Sequence, residues 1–449
     1  MNCGIEIPAG ATEIISRLCR DGHKAYVVGG CVRDSIRGAT PHDWDICTSA
    51  TPEQVKASVG TDTIDTGLRH GTITVRMPDG NYEVTTFRVD GNYSDGRRPD
   101  SVSFTENIVE DLSRRDFTMN AIAYNDTEGV VDPFGGVYDI HAGIIRCVGN
   151  PDERFKEDAL RVMRALRFAS TFGWRIDSET AHYAKLNAQN VTSNVSVERI
   201  YSELTKIICG DYAGDVMLEY PDIFCAIIPE FLPCYGFNQN NKYHKYTVYD
   251  HIANALNHAA GSDVFVKYAL FFHDIGKPMC YTEDENGGHF RGHNVTSYDT
   301  SRMVMSRLRF DSKTLDEVST LVLHHDATIE PEPKVVRRWL NKIGEESFRR
   351  LIEIRIADIR AQDPATSEER VAKARKLNSI ADQVIAEDQC FSLRDMNLNG
   401  NDIIAIGVKE GRRIGHILND LLSKVIDGEI NNDHDELLDA AKRMAVTEQ

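Results

Sequence analysis

Tyr26-Val27-Val28-Gly29-Gly30-Cys31-Val32-Arg33-Asp34 reads as an apolar strand, a glycine pair and the start of a helix. Glycines at such a turn let backbone N–H groups approach a phosphate, and the helix N-terminus adds partial positive charge. A plain strand-to-helix turn has the same pattern, so the segment takes its meaning from its downstream neighbours. Ten residues on, Pro41-His42-Asp43-Trp44-Asp45-Ile46 sets Asp43 and Asp45 two positions apart in a stretch of strand character. Alternation along a strand aims both carboxylates at one face. Such a pair repels itself unless cations lie between, and it suits Mg²⁺, which takes a few carboxylates together with phosphate oxygens. The matching chemistry is two-metal displacement at phosphorus, in which one ion acidifies an attacking 3′-hydroxyl and the other stabilises leaving pyrophosphate. Alone, a D-x-D pair is more often a solvated turn; behind a glycine-rich turn the metal reading gains weight. Glu83, in Tyr82-Glu83-Val84-Thr85-Thr86-Phe87-Arg88, offers a third carboxylate from a neighbouring strand, or is simply an exposed strand residue.

Working outward, the pattern predicts a helix around Glu13–Asp21 and strands at Ala25–Val28, Trp44–Cys47, Gly71–Met77 and Tyr82–Arg88. These elements imply an α/β or α+β head for the first 140 or so residues. From about Asp152, apolar residues recur at three- and four-residue spacing, as in Ala159-Leu160-Val162-Met163-Leu166, and the remainder is expected to be almost entirely helical. Breaks are expected near Gly149–Pro151, around Asp222–Asn241 and near Gln362–Ser367.

The ordered motifs carry a family resemblance. Gly29-Gly30-x-Val32-Arg33-Asp34, the Asp43-Trp44-Asp45-Ile46 pair, the Tyr82–Arg88 strand and Arg114-Arg115-Asp116-Phe117-Thr118-Met119-Asn120-Ala121 come in that order. Asp132-Pro133-Phe134-Gly135-Gly136 and Glu157-Asp158-Ala159-Leu160-Arg161-Val162-Met163-Arg164-Ala165-Leu166-Arg167-Phe168 come next. Together they resemble the head of class II tRNA nucleotidyltransferases of the bacterial type, CCA-adding enzymes within the DNA polymerase beta superfamily. The resemblance implies a nucleotidyltransferase head followed by a largely all-α body. It divides the chain into a head (1–145), a helical neck with a base-selecting motif (146–235), an HD domain (240–365) and a tRNA-binding body and tail (366–449). It implies Mg²⁺ on Asp43 and Asp45, triphosphate contacts from Gly29, Gly30 and Arg33, and a grip on ribose and phosphates by Arg114, Arg115, Asp116 and Asn120. Arg164 and Arg167 join the nucleotide-binding set. Guanidinium groups suit phosphate because they stay charged and bind it bidentately.

Asp158 and Arg161 match the family's protein template for the incoming base. Placed on one helix face, an acceptor carboxylate and a donor guanidinium would share a base edge, accounting for choice of CTP and ATP without a nucleic-acid template. An ordinary i, i+3 ion pair is the alternative. The loop Val89–Pro99 resembles the flexible loop that full CCA-adding enzymes keep and CC-adding relatives lack; a simple hairpin connection is the other reading.

A second constellation lies farther on. His251, the adjacent His273-Asp274 in His273-Asp274-Ile275-Gly276-Lys277-Pro278, His293, His325-Asp326 and Asp358 resemble the ligands of HD-domain phosphohydrolases on a helical background. The resemblance implies one or two divalent ions, and this mixed imidazole and carboxylate set admits Mg²⁺, Mn²⁺, Ni²⁺ or Fe²⁺. The hydrolytic target would be a 2′,3′-cyclic phosphate or 2′-phosphate blocking an RNA end. Satisfied core histidines, or a scaffold that has lost activity, are the alternatives. In the tail, Lys409, Arg412 and Arg413 would meet tRNA phosphates or form a solvated basic turn.

Composition bounds these readings. A formal net charge of −18 argues against indiscriminate RNA binding and leaves room for a local basic cleft built from clusters such as Arg97-Arg98, Arg114-Arg115 and Arg161 with Arg164 and Arg167. The ten cysteines include no C-x-x-C pair, which argues against a zinc ribbon and a disulfide framework. The N-terminus lacks signal-peptide order and no long apolar run occurs, so a cytoplasmic protein is expected. The rivals to tRNA CCA addition are a poly(A) polymerase, which shares the head, and an HD phosphohydrolase whose head only senses a nucleotide.

Overall fold

The computed structural model describes residues 5–447 apart from 61, 92, 94–99, 241–244, 286, 363, 388–389 and 410. The chain divides into two compact units, Met1–Pro229 and Glu230–Gln449.

The first unit is built on a mixed seven-stranded sheet. Its strands are β1 (Ala25–Val28), β2 (Asp45–Thr48), β3 (Thr63–Gly67), β4 (Thr72–Met77) and β5 (Gly80–Thr86). After a separate hairpin of β6 (Arg88–Asp90) and β7 (Val102–Phe104) come β8 (Ala123–Asn125) and β9 (Gly129–Val131). The spatial order is β3-β4-β5-β2-β1-β8-β9. All four β1 residues are buried, which explains the unbroken apolar run there. β2 runs parallel to β5, and this pairing sets Asp45 opposite Glu83. The helix Ala9–Arg20 lies against β1, β2 and β5 and buries Ala11, Ile14, Ile15 and Leu18, one stripe at helical spacing.

Beyond the sheet the unit is helical. Leu160–Phe172 and Val197–Cys209 pack against each other, burying Met163, Leu166, Leu204 and Ile207 among others. Asp43 lies just before β2 rather than inside it. Asp158 departs further from expectation: the helix Pro151–Glu157 ends there, with Asp158 extended at φ −144 and ψ 102, and a new helix begins at Leu160. Its Oδ1 accepts the Leu160 N–H at 3.1 Å. A side chain that bonds the backbone two residues ahead competes with the helical ladder, so Asp158 and Arg161 do not share a continuous helix face.

The second unit is a helical bundle. Val264–Phe272 is buried from Val266 to Phe272, as a central helix must be, and it packs against Val248–Asn257, Ser312–His324 and Glu345–Arg360. Among the described residues its only strands form the hairpin Thr282–Asp284 with Gly287–His289. Toward the C-terminus, Leu421 and Leu422 of Arg412–Asp427 share a small core with Leu437 and Ala441 of the following helix. No helix among the described residues is long and apolar enough to cross a membrane.

Candidate active site and a second ligand cluster

Where β1 gives way to the helix Gly30–Ile36, Gly29 takes φ +81, and a Cβ there would stand 2.9 Å from Nη1 of Arg115. The left-handed backbone requires glycine, whereas the guanidinium, at the end of a flexible side chain, could move aside. The Gly29 N–H donates to the Ile122 carbonyl at 3.0 Å, so a phosphate at this turn would have to meet the amides that follow it.

The turn opens into a cavity of about 680 Å³ lined by Gly29, Gly30 and Asp45, with Arg33, Arg115, Arg164, Arg167 and Lys206 supplying positive charge. Asp116 and Asp211 are the other carboxylates on its wall, so cations outnumber anions five to three. Each of these cations also has an acidic partner, Asp34 for Arg33, Asp111 for Arg115, Asp116 for Arg164 and Glu203 for Arg167 and Lys206, so the wall offers oriented, paired donors where a triphosphate would sit. Phe168 and Phe172, stacked with centroids 5.8 Å apart, form an apolar wall, and the Arg33 guanidinium lies 5.3 and 5.2 Å from their rings. The same guanidinium is paired with the adjacent Asp34, Nε to Oδ1 at 3.0 Å and Nη2 to Oδ2 at 2.8 Å.

At the mouth of β2 the Asp45 carboxyl has two acidic neighbours, Glu83 and Asp43. Asp45 is exposed at the end of β2, yet partial desolvation by the surrounding protein and the facing Glu83 raise its carboxyl above the ordinary value, and Asp43 adds to this against the opposing pull of Arg115. Repulsion of this kind is what a divalent cation relieves, and an all-oxygen set suits one; the three side chains are exposed, and among the described residues their oxygens do not converge as the second unit's ligands do.

Asp116 is buried and spends both oxygens inside the protein. Oδ2 holds Arg164, 2.7 Å from Nε, while Oδ1 accepts the Phe117 N–H at 2.8 Å and the Asn120 amide at 3.0 Å. The Asn120 carbonyl oxygen in turn accepts from Arg33 at 2.7 Å. Burial alone would raise the Asp116 carboxyl, but the Arg164 charge and the Asn120 hydrogen bond hold it well below the usual carboxylate range. Asp116 therefore organises Arg164, Asn120 and Arg33 from behind. Arg114 lies off the cavity wall, tied to Asp111 at 2.7 Å and facing Asp90 at 4.0 Å, while its neighbour Arg115 takes the place on the wall.

Asp158 and Arg161 pair with other residues rather than with each other. Arg199, on the helix Val197–Cys209, grips Asp158 with Nη2–Oδ2 at 2.7 Å and Nη1–Oδ1 at 3.3 Å. Arg161 Nη1 meets Glu157 Oε2 at 2.6 Å and the Arg154 carbonyl at 3.1 Å, and its Nη2 donates to the Arg114 carbonyl at 3.0 Å. Neither residue lines the cavity itself. Sequence reasoning does not single out Arg199 or Lys206, because both lie on an amphipathic helix whose pattern speaks only of packing. In the Val89–Pro99 loop, residues 92 and 94–99, including Arg97-Arg98, lie outside the described residues. Of the described part, Tyr93 donates to Asp90 Oδ2 at 2.8 Å.

In the second unit, His251, His273, Asp274, His293, His325 and Asp358 converge from different helices and their ends. Nδ1 of His273, His293 and His325 lies 2.7, 2.8 and 2.7 Å from the carbonyls of Leu270, Phe290 and Val322. A hydrogen on each Nδ1 leaves the Nε2 lone pairs facing inward. There they confront one another: His251 and His273 are 3.3 Å apart at Nε2, and His293 and His325 are 3.2 Å apart. Asp274 spans the two pairs, Oδ2 at 3.2–3.3 Å from the first and Oδ1 at 3.3–3.5 Å from the second. Facing acceptors need a cation or a shared proton between them, so this donor set also fits divalent ions. Asp358 stands 2.9 Å from His251, whereas Asp326 is exposed at the rim, 3.9 Å from His293. Lys277, one turn after Asp274, is buried with Nζ 2.6 Å from Asp274 Oδ2 and 2.9 Å from Gln239 Oε1. In the tail, Arg413 donates to the Ala445 carbonyl at 2.9 Å, a packing contact.

Known proteins resemble this chain in sequence and fold. Residues 25–146 match the poly A polymerase head domain family and residues 295–441 the tRNA nucleotidyltransferase domain 2 family. The CCA-adding enzyme of Ligilactobacillus salivarius is 32% identical over 446 residues, covering 97% of this chain and 96% of that protein. That of Geobacillus thermodenitrificans is 47% identical over 207 residues, 46% of this chain and 51% of its own length. Among solved structures, the Bacillus stearothermophilus CCA-adding enzyme in complex with CTP superposes with a TM-score of 0.69 at 28% identity, covering 98% of this chain and 99% of that one. The Thermotoga maritima CCA-adding enzyme complexed with tRNA shares the fold, with a TM-score of 0.63 at 19% identity and coverage of 98% and 97%.

Proposed function

The chain belongs to the family of CCA-adding enzymes, and from that premise we propose how its own residues carry out the reaction. The activity is template-independent addition and repair of the 3′-terminal CCA of tRNA, using CTP and ATP and releasing pyrophosphate. The observation that carries the assignment of residues is Asp45 set opposite Glu83 across parallel strands, beside a cation-lined cavity closed by the Gly29 turn. Asp43, Asp45 and Glu83 would hold divalent metal, Mg²⁺ by their all-oxygen character. When bound there, the metal would acidify the tRNA 3′-hydroxyl and stabilise the departing pyrophosphate. Arg33, Arg115, Arg164 and Arg167 bind and orient the triphosphate, and Asp116 with Asn120 fixes the first and third of these. Asp158 and Arg161 would read the base, an assignment supported by their match to the family's motif, since neither lines the cavity itself. The likeness to CCA-adding enzymes runs the length of the chain, which favours this reaction over poly(A) synthesis.

The test is extension of a tRNA lacking CCA with labelled CTP and ATP. Full CCA addition is expected, with Asp43→Asn and Asp45→Asn each lowering incorporation by about a thousandfold or more, since metal placement supplies several kcal/mol of transition-state stabilisation. Products stopping at CC, or normal rates in the double variant, would refute the assignment.

A second reading rests on the opposed imidazoles of the helical unit. This cluster is an HD-type site for one or two divalent ions, with Asp274 shared between His251–His273 and His293–His325. Its substrate would be a cyclic phosphate or 2′-phosphate at an RNA 3′ end, and bound metal would supply the activated water for hydrolysis. His273→Ala with Asp274→Ala should abolish metal-stimulated phosphate release from such ends; unchanged release would reject it.

A further inference from the structure

Arg199 grips the acceptor half of the base-reading pair. Both nitrogens of its fork face both oxygens of Asp158, and Leu160 N–H fastens Oδ1 as well. The donor half is held differently. Arg161 rests on two backbone carbonyls and on Glu157, whose other oxygen is engaged by Arg154. A planar guanidinium facing both oxygens fixes the plane of the carboxylate, whereas Arg161 is held by separate hydrogen bonds to three different partners.

That asymmetry bears on which bases are refused. Cytosine and adenine each present an amino donor beside a ring-nitrogen acceptor; uracil and guanine present a carbonyl acceptor beside a ring N–H donor. A carboxylate fixed opposite the exocyclic position accepts from the amino group and repels the carbonyl. A carboxylate free to swing loses that veto, and the neighbouring guanidinium can then donate to the carbonyl instead. Asp158 is not held by a regular helix, because the chain breaks at that residue. Its orientation is set from 41 positions away, by a helix packed against Leu160–Phe172.

We propose that Arg199 is a positioning residue for base selection: it locks Asp158 in the orientation that rejects UTP and GTP. The inference rests on Asp158 being a base reader, and the experiment separates the two ideas. Specificity constants are measured for CTP against UTP on tRNA lacking CCA, and for ATP against GTP on tRNA ending in CC, in Arg199→Ala, Arg199→Gln, Arg199→Lys and Asp158→Asn, with Tm followed in parallel. Arg199→Ala and Arg199→Gln are expected to lower both discrimination ratios by about tenfold or more, the order set by one bidentate contact. Arg199→Lys, which restores charge without the fork, should fall between them and the native protein. An equal loss of rate for all four nucleotides in every Arg199 variant, with unchanged ratios, would reduce Arg199 to a packing role and overturn the proposal. If Asp158→Asn relaxes discrimination while the Arg199 variants do not, only the positioning role fails. If Asp158→Asn leaves base choice intact, the reading of Asp158 fails with it. Should Arg199→Ala not fold, the Arg199→Gln ratio decides.

Discussion

At the scale of single residues, the site is governed by where charge is placed and what holds it. Asp116 illustrates this: it is buried, fully hydrogen-bonded, and anchors Arg164 directly and Arg33 through Asn120, and both guanidinium groups line the cavity. Because its folded-state pKa is depressed, its stabilising contribution is complete above the unfolded carboxyl value of about 4 and is lost as pH falls through the folded value. Asp116→Asn is therefore expected to cost about 2–3 kcal/mol at pH 7, much of it from leaving Arg164 unpaired. Urea titrations should show the gap between variant and native protein shrinking as pH drops from about 5 toward about 3, the span over which an unfolded carboxyl takes up its proton. The same variant should weaken CTP binding, since Arg33 and Arg164 lose their support. Asp45 shows the opposite tendency, raised by partial desolvation and by Glu83, as expected of neighbouring carboxylates that a cation would relieve.

At the scale of elements, sequence periodicity locates the strands and helices well, and the exceptions have local causes. Ala25–Val28 is the strand its apolar run predicts. Asp43 falls outside β2 and Asp158 falls between two helices, so both carboxylates depend on irregular backbone that periodicity does not describe. Close approach is the other element-level determinant. At the start of the helix Gly136–Ala142, a Cβ on Gly136 would come 2.1 Å from the Thr118 carbonyl oxygen, a backbone atom that cannot swing aside. Thr118 begins the turn that presents Asn120 to the cavity. Gly136→Ala should therefore destabilise the protein by about 2 kcal/mol, as overpacking does, and weaken CTP binding along with it. Chemical denaturation and nucleotide titration of one preparation check both; a variant as stable as the native protein would show that the Gly136–Ala142 helix shifts at little cost.

At the scale of the whole molecule, two ligand constellations occupy two compact units, one of carboxylates and guanidinium groups, the other of imidazoles and carboxylates. Their ligand sets share no residue, so their chemistries are expected to be separable. His273→Ala with Asp274→Ala should strip divalent metal from the second unit, measured by elemental analysis after dialysis, yet leave CTP incorporation within about twofold of the native rate, the range of substitutions remote from a site. A parallel collapse of incorporation would show that the two units are coupled. The sequence by itself determined the chemistry on offer: glycine turn, paired aspartates, arginine-rich helix and spaced His and Asp, because residue type and spacing set which groups can act and which local element carries them. Tertiary structure alone decided the partners. It set Asp45 opposite Glu83, turned Asp116 inward to Arg164, gave Asp158 to Arg199 and placed Lys277 against Asp274. Such pairings join residues brought together by strand order and helix packing, and side-chain geometry at about 3 Å is settled by the folded core, which no local pattern encodes.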